Sequence, residues 1–386
     1  MTILEEVLQQ KDRLISFRRD IHSHPELGWN ENRTHDLICH ELDELDIPYE
    51  TVCGTGIIAV IHGPEKAPVI ALRADMDALP IMEQNCCSYV SQVPGVMHAC
   101  GHDCHVAWLL ITARILKEHI NDLNCTVKLI FQPAEEIIEG AHAMYKLPQL
   151  DDVSHVFGAH VWNELPVGKF SVEPGPRFAS ADNIYLTIKG HSSHGAQPQD
   201  SVDAIVAASG VIQALQTVVS RNNHPLQPFV VTIGTIEGGT SSNIIASEVK
   251  LSGTVRSFDP EVRDKMELRL KEVAELASKV YGAECEFEYR RCTPAVINCP
   301  EETEMLRKAV IQTFGEDSLD GLERTMGGED FAWYLERIPG SYIRVGGNNV
   351  EKGKYWPHHH EKFDIDEDAL VNGATILCQT ALMFGK

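Results

Sequence analysis

Residues 97–105 read Met-His-Ala-Cys-Gly-His-Asp-Cys-His, a run dense in thiol and imidazole groups. Cys100 and His102 have only one residue between them. That spacing suits an extended or turning backbone whose two side chains converge on one ion. A thiolate and a neutral imidazole are both good donors to a borderline ion such as Zn²⁺. Taken alone, the run would equally describe a buried cysteine beside a surface histidine.

Three other clusters offer matching chemistry. An apolar run at 126–131 leads directly into Gln132-Pro133-Ala134-Glu135-Glu136. Sites of α/β sheets are built at strand ends, and two adjacent carboxylates can divide metal binding from proton handling. The same pair would also suit a solvated helix start, where Glu favours the dipole. His160 closes the run Phe157-Gly158-Ala159-His160, just before Val161-Trp162; a lone strand histidine is more often a satisfied core group. The third cluster, Trp356-Pro357-His358-His359-His360-Glu361-Lys362-Phe363, is internal and reads either as a surface tract or as a ligand-bearing loop. Pooled, these supply Cys, His, Glu, His and His. Two metal ions about 3.5–4 Å apart need about this set plus a bridging water, whose pKa both ions lower. A free carboxylate nearby would take the proton and deliver it to a leaving amine.

The elements that must position these groups follow from periodicity. Residues 3–20 and 32–46 carry helical apolar stripes. Short β-branched runs at 56–62, 69–72, 126–131 and 155–160 read as strands, with a strongly helical segment at 104–119 among them. Strands alternating with helices predict an α/β layer structure. The character changes near residue 180. Strand 183–189, helix 200–221, strands 229–235 and 247–258, helix 260–281 and strand 284–291 give the split βαβ, ferredoxin-like order. From about 295 the α/β pattern returns, with helix 301–314, strand 341–346 and helix 366–384. The expected plan is a catalytic domain of 1–180 plus 295–386, interrupted by an inserted α+β sandwich at 181–294.

Composition bounds the function. A chain of 386 residues exceeds one ordinary core, so two domains are expected. The net charge of −23 argues against nucleic acid and anionic membrane surfaces as partners. No apolar run approaches the ~20 residues that span a bilayer. The N-terminal Met1-Thr2-Ile3-Leu4-Glu5-Glu6 has neither the basic start nor the apolar core of a signal peptide. Eleven cysteines, an odd number without a repeating pair pattern, suggest reduced thiols in the cytoplasm.

Together these motifs resemble the amidohydrolase branch of the metallocarboxypeptidase–aminoacylase superfamily, which includes hippurate, auxin-conjugate and N-acetyl-amino-acid hydrolases. The likeness spans essentially the whole chain. It is carried by Arg18-Arg19-Asp20-Ile21-His22 with His24-Pro25-Glu26, by Arg73-Ala74-Asp75-Met76-Asp77-Ala78-Leu79-Pro80, by Cys100-Gly101-His102-Asp103, by Pro133-Ala134-Glu135-Glu136 and by Gly327-Gly328-Glu329-Asp330-Phe331. The resemblance implies a di-metal exopeptidase-like catalytic domain with an inserted lid and dimerisation domain. It implies Cys100, as bridging thiolate, with His102, Glu136, His160 and His359 as ligands of two divalent ions (Zn²⁺, Mn²⁺ or Co²⁺). His358 and His360 compete with His359. Glu135 would be the general base and acid. Asp77, Asp103, His98 and His105 would orient ligands, or else be ordinary polar packing.

In the inserted domain, Gly190-His191-Ser192-Ser193-His194-Gly195 resembles the family's lid motif. There His194 would steady the oxyanion from a partner subunit, and His191 would take no part. Asn243, in Gly238-Gly239-Thr240-Ser241-Ser242-Asn243, would donate to substrate. Arg256 would clamp a substrate carboxylate or be a plain strand-surface charge. The activity so implied is hydrolysis of N-acyl amino acids by a homodimer, with dipeptide hydrolysis as a variant. A non-catalytic metal or thiol sensor is the alternative from another class; it would be expected to have lost Glu135 or part of the ligand set.

Overall fold

A computed structural model describes residues 1–385. The chain forms two compact units. The first comprises Met1–Gly175, Ile297–Glu323 and the chain from Asp330 onward; the second comprises Pro176–Val296 and Arg324–Glu329.

The first unit is built on a seven-stranded sheet. Its strand order is Tyr49–Val52, Gly56–Ile61, Thr126–Gln132, Val69–Asp75, Val153–Pro166, Gly340–Asn348 and Phe170–Ser171. The four strands from Thr126–Gln132 to Gly340–Asn348 run parallel. They are buried almost throughout, as near-continuous apolar runs such as Val127 to Phe131 require. Val69–Asp75 pairs with Val153–Pro166 only as far as Arg73 opposite Gly158. Beyond that register the longer strand continues without this neighbour, which leaves space at the carboxyl edge of the sheet. That edge is where α/β sheets take ligands.

Helices cover the sheet. His102–Glu118 is buried along nearly its whole length, and Lys11–Ser23 and Asp368–Met383 pack against it. Trp108 is fully buried in this packing, against Gly373 of the last helix. A Cβ at Gly373 would lie 2.1 Å from Trp108 Cε2. Gly373→Val is therefore expected to lower stability by about 1–3 kcal/mol or more, the usual cost of overpacking. A thermal melt within a degree of the parent would show that the two helices can separate freely.

In the second unit, the four-stranded antiparallel sheet has the order Glu284–Thr293, Ser180–Lys189, Glu248–Ser257, Phe229–Gly238. Helices Ala204–Thr217 and Pro260–Val280 complete the ferredoxin-like connection expected from the sequence. Each begins at an aspartate cap: Asp203 accepts from Ile205 N and Val206 N, and Asp259 from Glu261 N and Val262 N. Ile184, Leu186 and Ile188 alternate inward and meet Leu215, Val249, Leu251 and Leu270 in a separate core.

Several boundaries differ from the sequence reading. Residues 3–20 form two helices, Ile3–Gln9 and Lys11–Ser23, because the Gln10 N–H turns back to Leu8 and Val7 carbonyls. The strand expected at 155–160 runs from Val153 to Pro166, so His160 stands mid-strand instead of at its end. Among the described residues one helix, Ala204–Asn222, is long and apolar enough to cross a membrane, contrary to the sequence reading. Ala204, Ala207, Ala208, Val211 and Leu215 of that helix fill the core of the second unit, while Ile205 and Val206 are exposed.

Candidate metal centre

The centre lies in the first unit, at the carboxyl edge of the parallel strands. Cys100 and His102 flank Gly101, whose φ of 95° starts the helix His102–Glu118. A Cβ at Gly101 would stand 2.3 Å from Val161 Cγ1, so the turn between the two donors accepts only glycine. The strand Thr126–Gln132 ends in a loop that presents Glu135 and Glu136. His160 comes from the long strand Val153–Pro166, on the far side of Val69–Asp75, and His359 from the loop before the last helix.

The hydrogen bonds settle which ring nitrogens face inward. A carbonyl can only accept, so an imidazole nitrogen bonded to one carries the proton. His102 Nδ1 donates to Asp77 O at 2.9 Å, and His160 Nδ1 donates to Val161 O at 2.6 Å. Both Nε2 lone pairs are thereby left for another partner. His160 Nε2 is 3.5 Å from Cys100 Sγ. His102 Nε2 is 3.9 Å from both a Glu135 and a Glu136 oxygen, and His359 Nε2 is 3.4 Å from Glu136 Oε2. Buried His102 Nε2 and Glu136 Oε1 have no hydrogen-bond partner among the described residues. Orphaned donor atoms of this kind, converging with a thiol, fit a bound cation.

The donors fall into overlapping groups. Cys100, His102 and His160 present ligand atoms within 4.8 Å of one another, as do Cys100, Glu136 and His359. Cys100 is common to both. Burial, with Glu136 close by, pushes its thiol well above the usual range, so a thiolate here requires a neighbouring cation. Burial also pushes Glu136 up to about 8, against the pull of His102.

Of the three consecutive histidines, the structure brings only His359 to this cluster. His358 Nε2 is occupied by Val161 O at 2.9 Å, its ring packed near Trp162 and Phe363. His360 Nδ1 accepts from Lys362 N at 3.0 Å, and its ring stacks on Trp356. His359→Ala is expected to weaken metal binding by more than about 10–100-fold, the cost of losing even a group that merely orients a ligand. His360→Ala should leave binding unchanged. Equal effects of the two, read by chelator competition, would remove His359 from the ligand set.

Around the donors stand the groups that fix them. Asp77 accepts from Glu135 N and Glu136 N, both at 3.0 Å, while its carbonyl holds His102. Asp103 points elsewhere, accepting from Arg18 Nε at 3.2 Å and His22 Nδ1 at 2.8 Å. His105 donates to Asp75 at 2.5 Å and accepts from Val161 N, the residue whose carbonyl orients His160. His98 is buried and neither ring nitrogen has a partner among the described residues; burial pushes it down to about 4.

Two supporting residues escaped the sequence reading. Asp75 is completely buried, yet Arg73 and His102 hold it well below the usual carboxylate range; its position in the Arg73–Pro80 motif was the available signal. Glu31 accepts from Ala134 N at 2.9 Å and from Thr55 Oγ1 at 2.7 Å. It thereby fastens Ala134 in a left-handed conformation, φ 55°, immediately before Glu135. No local pattern announces that role.

The remaining candidates belong to the second unit. His194 is exposed; its Nδ1 accepts from Ala196 N at 3.0 Å, and Gly195 N donates to Asn243 O at 2.8 Å, which brings the two candidate loops together. Asn243 Oδ1 accepts from Ser241 Oγ at 2.7 Å. Arg256 is half-buried on the strand Glu248–Ser257, opposite Ala181 and Val230. His191 is exposed and pairs through its backbone with Val202.

Comparison with known proteins agrees with this architecture. Residues 71–383 match the peptidase family M20/M25/M40. The chain is 42% identical over 376 residues to an N-acetylcysteine deacetylase of Bacillus subtilis, covering 96% of each chain. It is 36% identical to IAA-amino acid hydrolase ILR1-like 4 of Arabidopsis thaliana, over 97% of this chain and 86% of that one. Among solved structures, a dinuclear metal-binding peptidase of the M20 family from Bacillus subtilis superposes with a TM-score of 0.85. It is 38% identical and is matched over 97% of this chain and 98% of that one.

Proposed function

Because the chain belongs to peptidase family M20/M25/M40 and is a metal-dependent amidohydrolase, we propose that its substrates are small N-acyl amino acids. The observation that carries this reading is the convergence of Cys100, His102, Glu136, His160 and His359, with Glu135 beside them and outside the two groups that share Cys100. The relatives' names support the substrate class: one is a deacetylase of N-acetylcysteine and another a hydrolase of IAA-amino acids. Their acyl groups differ, and an N-acylated amino acid is what they share.

Cys100, His102, Glu136, His160 and His359 would hold two divalent ions, with Cys100 between them. Thiolate and imidazole donors favour Zn²⁺ by softness, with Mn²⁺ and Co²⁺ as further candidates. When bound, such ions polarise a carbonyl and lower the pKa of water.

The chain's own groups do the rest. Glu135 takes a proton from the attacking water as its oxygen bonds to the amide carbon. It then returns that proton to nitrogen as the C–N bond breaks, releasing an amine and a carboxylic acid that loses its remaining proton to solvent. Asp77 and Glu31 keep the loop rigid through both transfers. His194 is assigned to the developing oxyanion, and Asn243 and Arg256 to the polar end of the substrate. The working form is assigned as a homodimer, and eleven cysteines, an odd number, fit a reducing cytoplasm.

The test is a hydrolysis screen of the metal-loaded protein on N-acetyl, N-benzoyl and indole-acetyl amino acids and short dipeptides. Turnover of an N-acylated class is the expected result. Turnover confined to dipeptides would replace the substrate assignment while leaving the chemistry intact.

A further inference from the structure

The Arg18-Arg19-Asp20-Ile21-His22 segment takes no part in the chemistry above. Yet Arg18 is among the largest fully buried side chains of the protein. A buried guanidinium is costly unless every edge is matched, and here three edges are. Nε donates to Asp103 Oδ2 at 3.2 Å, Nη2 to Asp364 Oδ1 at 2.5 Å, and Nη1 to Glu367 Oε1 at 3.3 Å.

The two buried carboxylates belong to the two segments that deliver metal donors. Asp103 directly follows His102 at the helix start, and Asp364 lies five residues beyond His359. Each is clamped further. Asp103 accepts from His22 Nδ1 at 2.8 Å and from Cys104 N at 3.0 Å. Asp364 accepts from Tyr89 Oη at 2.8 Å, from Lys354 Nζ and from Ile365 N at 2.8 Å. Near the donors the segments are joined by one backbone bond, from His359 N to Ala99 O at 2.8 Å. One tie leaves a pivot; a second, rigid tie fixes orientation as well as separation.

We propose that Arg18 is a positioning residue for the metal centre: its planar fork grips Asp103 and Asp364 together and so sets His102 and His359 in register for binding two ions. The inference rests on the ligand set proposed above. A lysine cannot do the same, since its compact ammonium has no fork to bridge two carboxylates. Groups that orient ligands typically contribute 10–100-fold in metal affinity.

The experiment measures Zn²⁺ and Co²⁺ affinity by chelator competition on the full chain, and the visible spectrum of the Co²⁺-loaded protein. Arg18→Lys is expected to weaken affinity by about 10–100-fold and to alter the Co²⁺ spectrum, while circular dichroism stays parental. A lower melting temperature with unchanged affinity and spectrum would reduce Arg18 to a stabilising residue and overturn the inference. Should Arg18→Lys fail to fold, Asp364→Asn keeps the shape and removes one grip; parental affinity there overturns the inference equally. His102→Ala and His359→Ala run alongside. If these leave affinity unchanged, the ligand set itself is wrong. If they weaken it and Arg18→Lys does not, only the strut fails.

Discussion

Glu135→Gln is expected to bind metal as the parent does while turnover falls by about 10²–10⁴-fold, the range that general acid–base groups contribute. The reasoning is local. The amide matches the carboxylate in shape, and Asp77 holds the loop through the backbone of Glu135 and Glu136, which the substitution leaves alone. Glu136 meets His359 and forms a donor group with it and Cys100, and the substitution leaves all three of these side chains in place. What disappears is the ability to accept a proton and return it. Metal content by elemental analysis and steady-state rates on a substrate from the screen check both halves. Activity within tenfold of the parent would rule out Glu135 as the proton carrier. Loss of metal would instead place it among the ligands.

Cys100→Ser should act at the opposite end of the mechanism. Because Cys100 belongs to both donor groups, its loss is expected to lower the content of both ions together and to cut turnover by at least about 10²-fold, beyond the upper range for groups that only orient ligands. The thiol is buried and its pKa lies well above the ordinary value. The thiolate, which is the reactive form, should therefore exist chiefly while a cation sits beside it. Peroxide adds a second measurement: stripped protein, with its buried thiol protonated, is expected to resist oxidation and to keep its capacity to be reactivated by metal. Two ions bound at parental affinity in Cys100→Ser would sink the bridging assignment.

How much of this could be read from the chain depends on the reach of each interaction. Cys100 with His102, and Glu135 with Glu136, are legible because one turn and one strand end place each pair. The ferredoxin-like order of the second unit is legible because its strands and helices alternate cleanly in period and start at aspartate caps. The choice among His358, His359 and His360 was open, since it turns on Val161 O capturing one ring and Trp356 stacking on another. The positions of His160 and of the break at Gln10 depend on strand pairing and a local backbone turn that periodicity does not encode. Arg18 and Glu31 were illegible for the plainest reason. Arg18 meets its carboxylates 85 to 349 residues away and Glu31 meets Ala134 across 103, and contacts at such separations leave no trace in either neighbourhood.

The strand Gly340–Asn348 pairs in parallel with Val153–Pro166 inside the main sheet, and that pairing has a temporal consequence. On a ribosome the earlier strand emerges long before its neighbour exists. At about 5–20 residues per second, the wait is roughly 10–35 s. During it the second unit, nearly all of whose chain is continuous, can close on its own core, while the first must hold an unfinished sheet edge. Nascent chains halted just before the strand Gly340–Asn348 is made should therefore contain a protease-resistant fragment from 176–296 and a sensitive N-terminal part. The incomplete edge, with its apolar Val156 and Phe157, is then the point at which a chaperone is most needed.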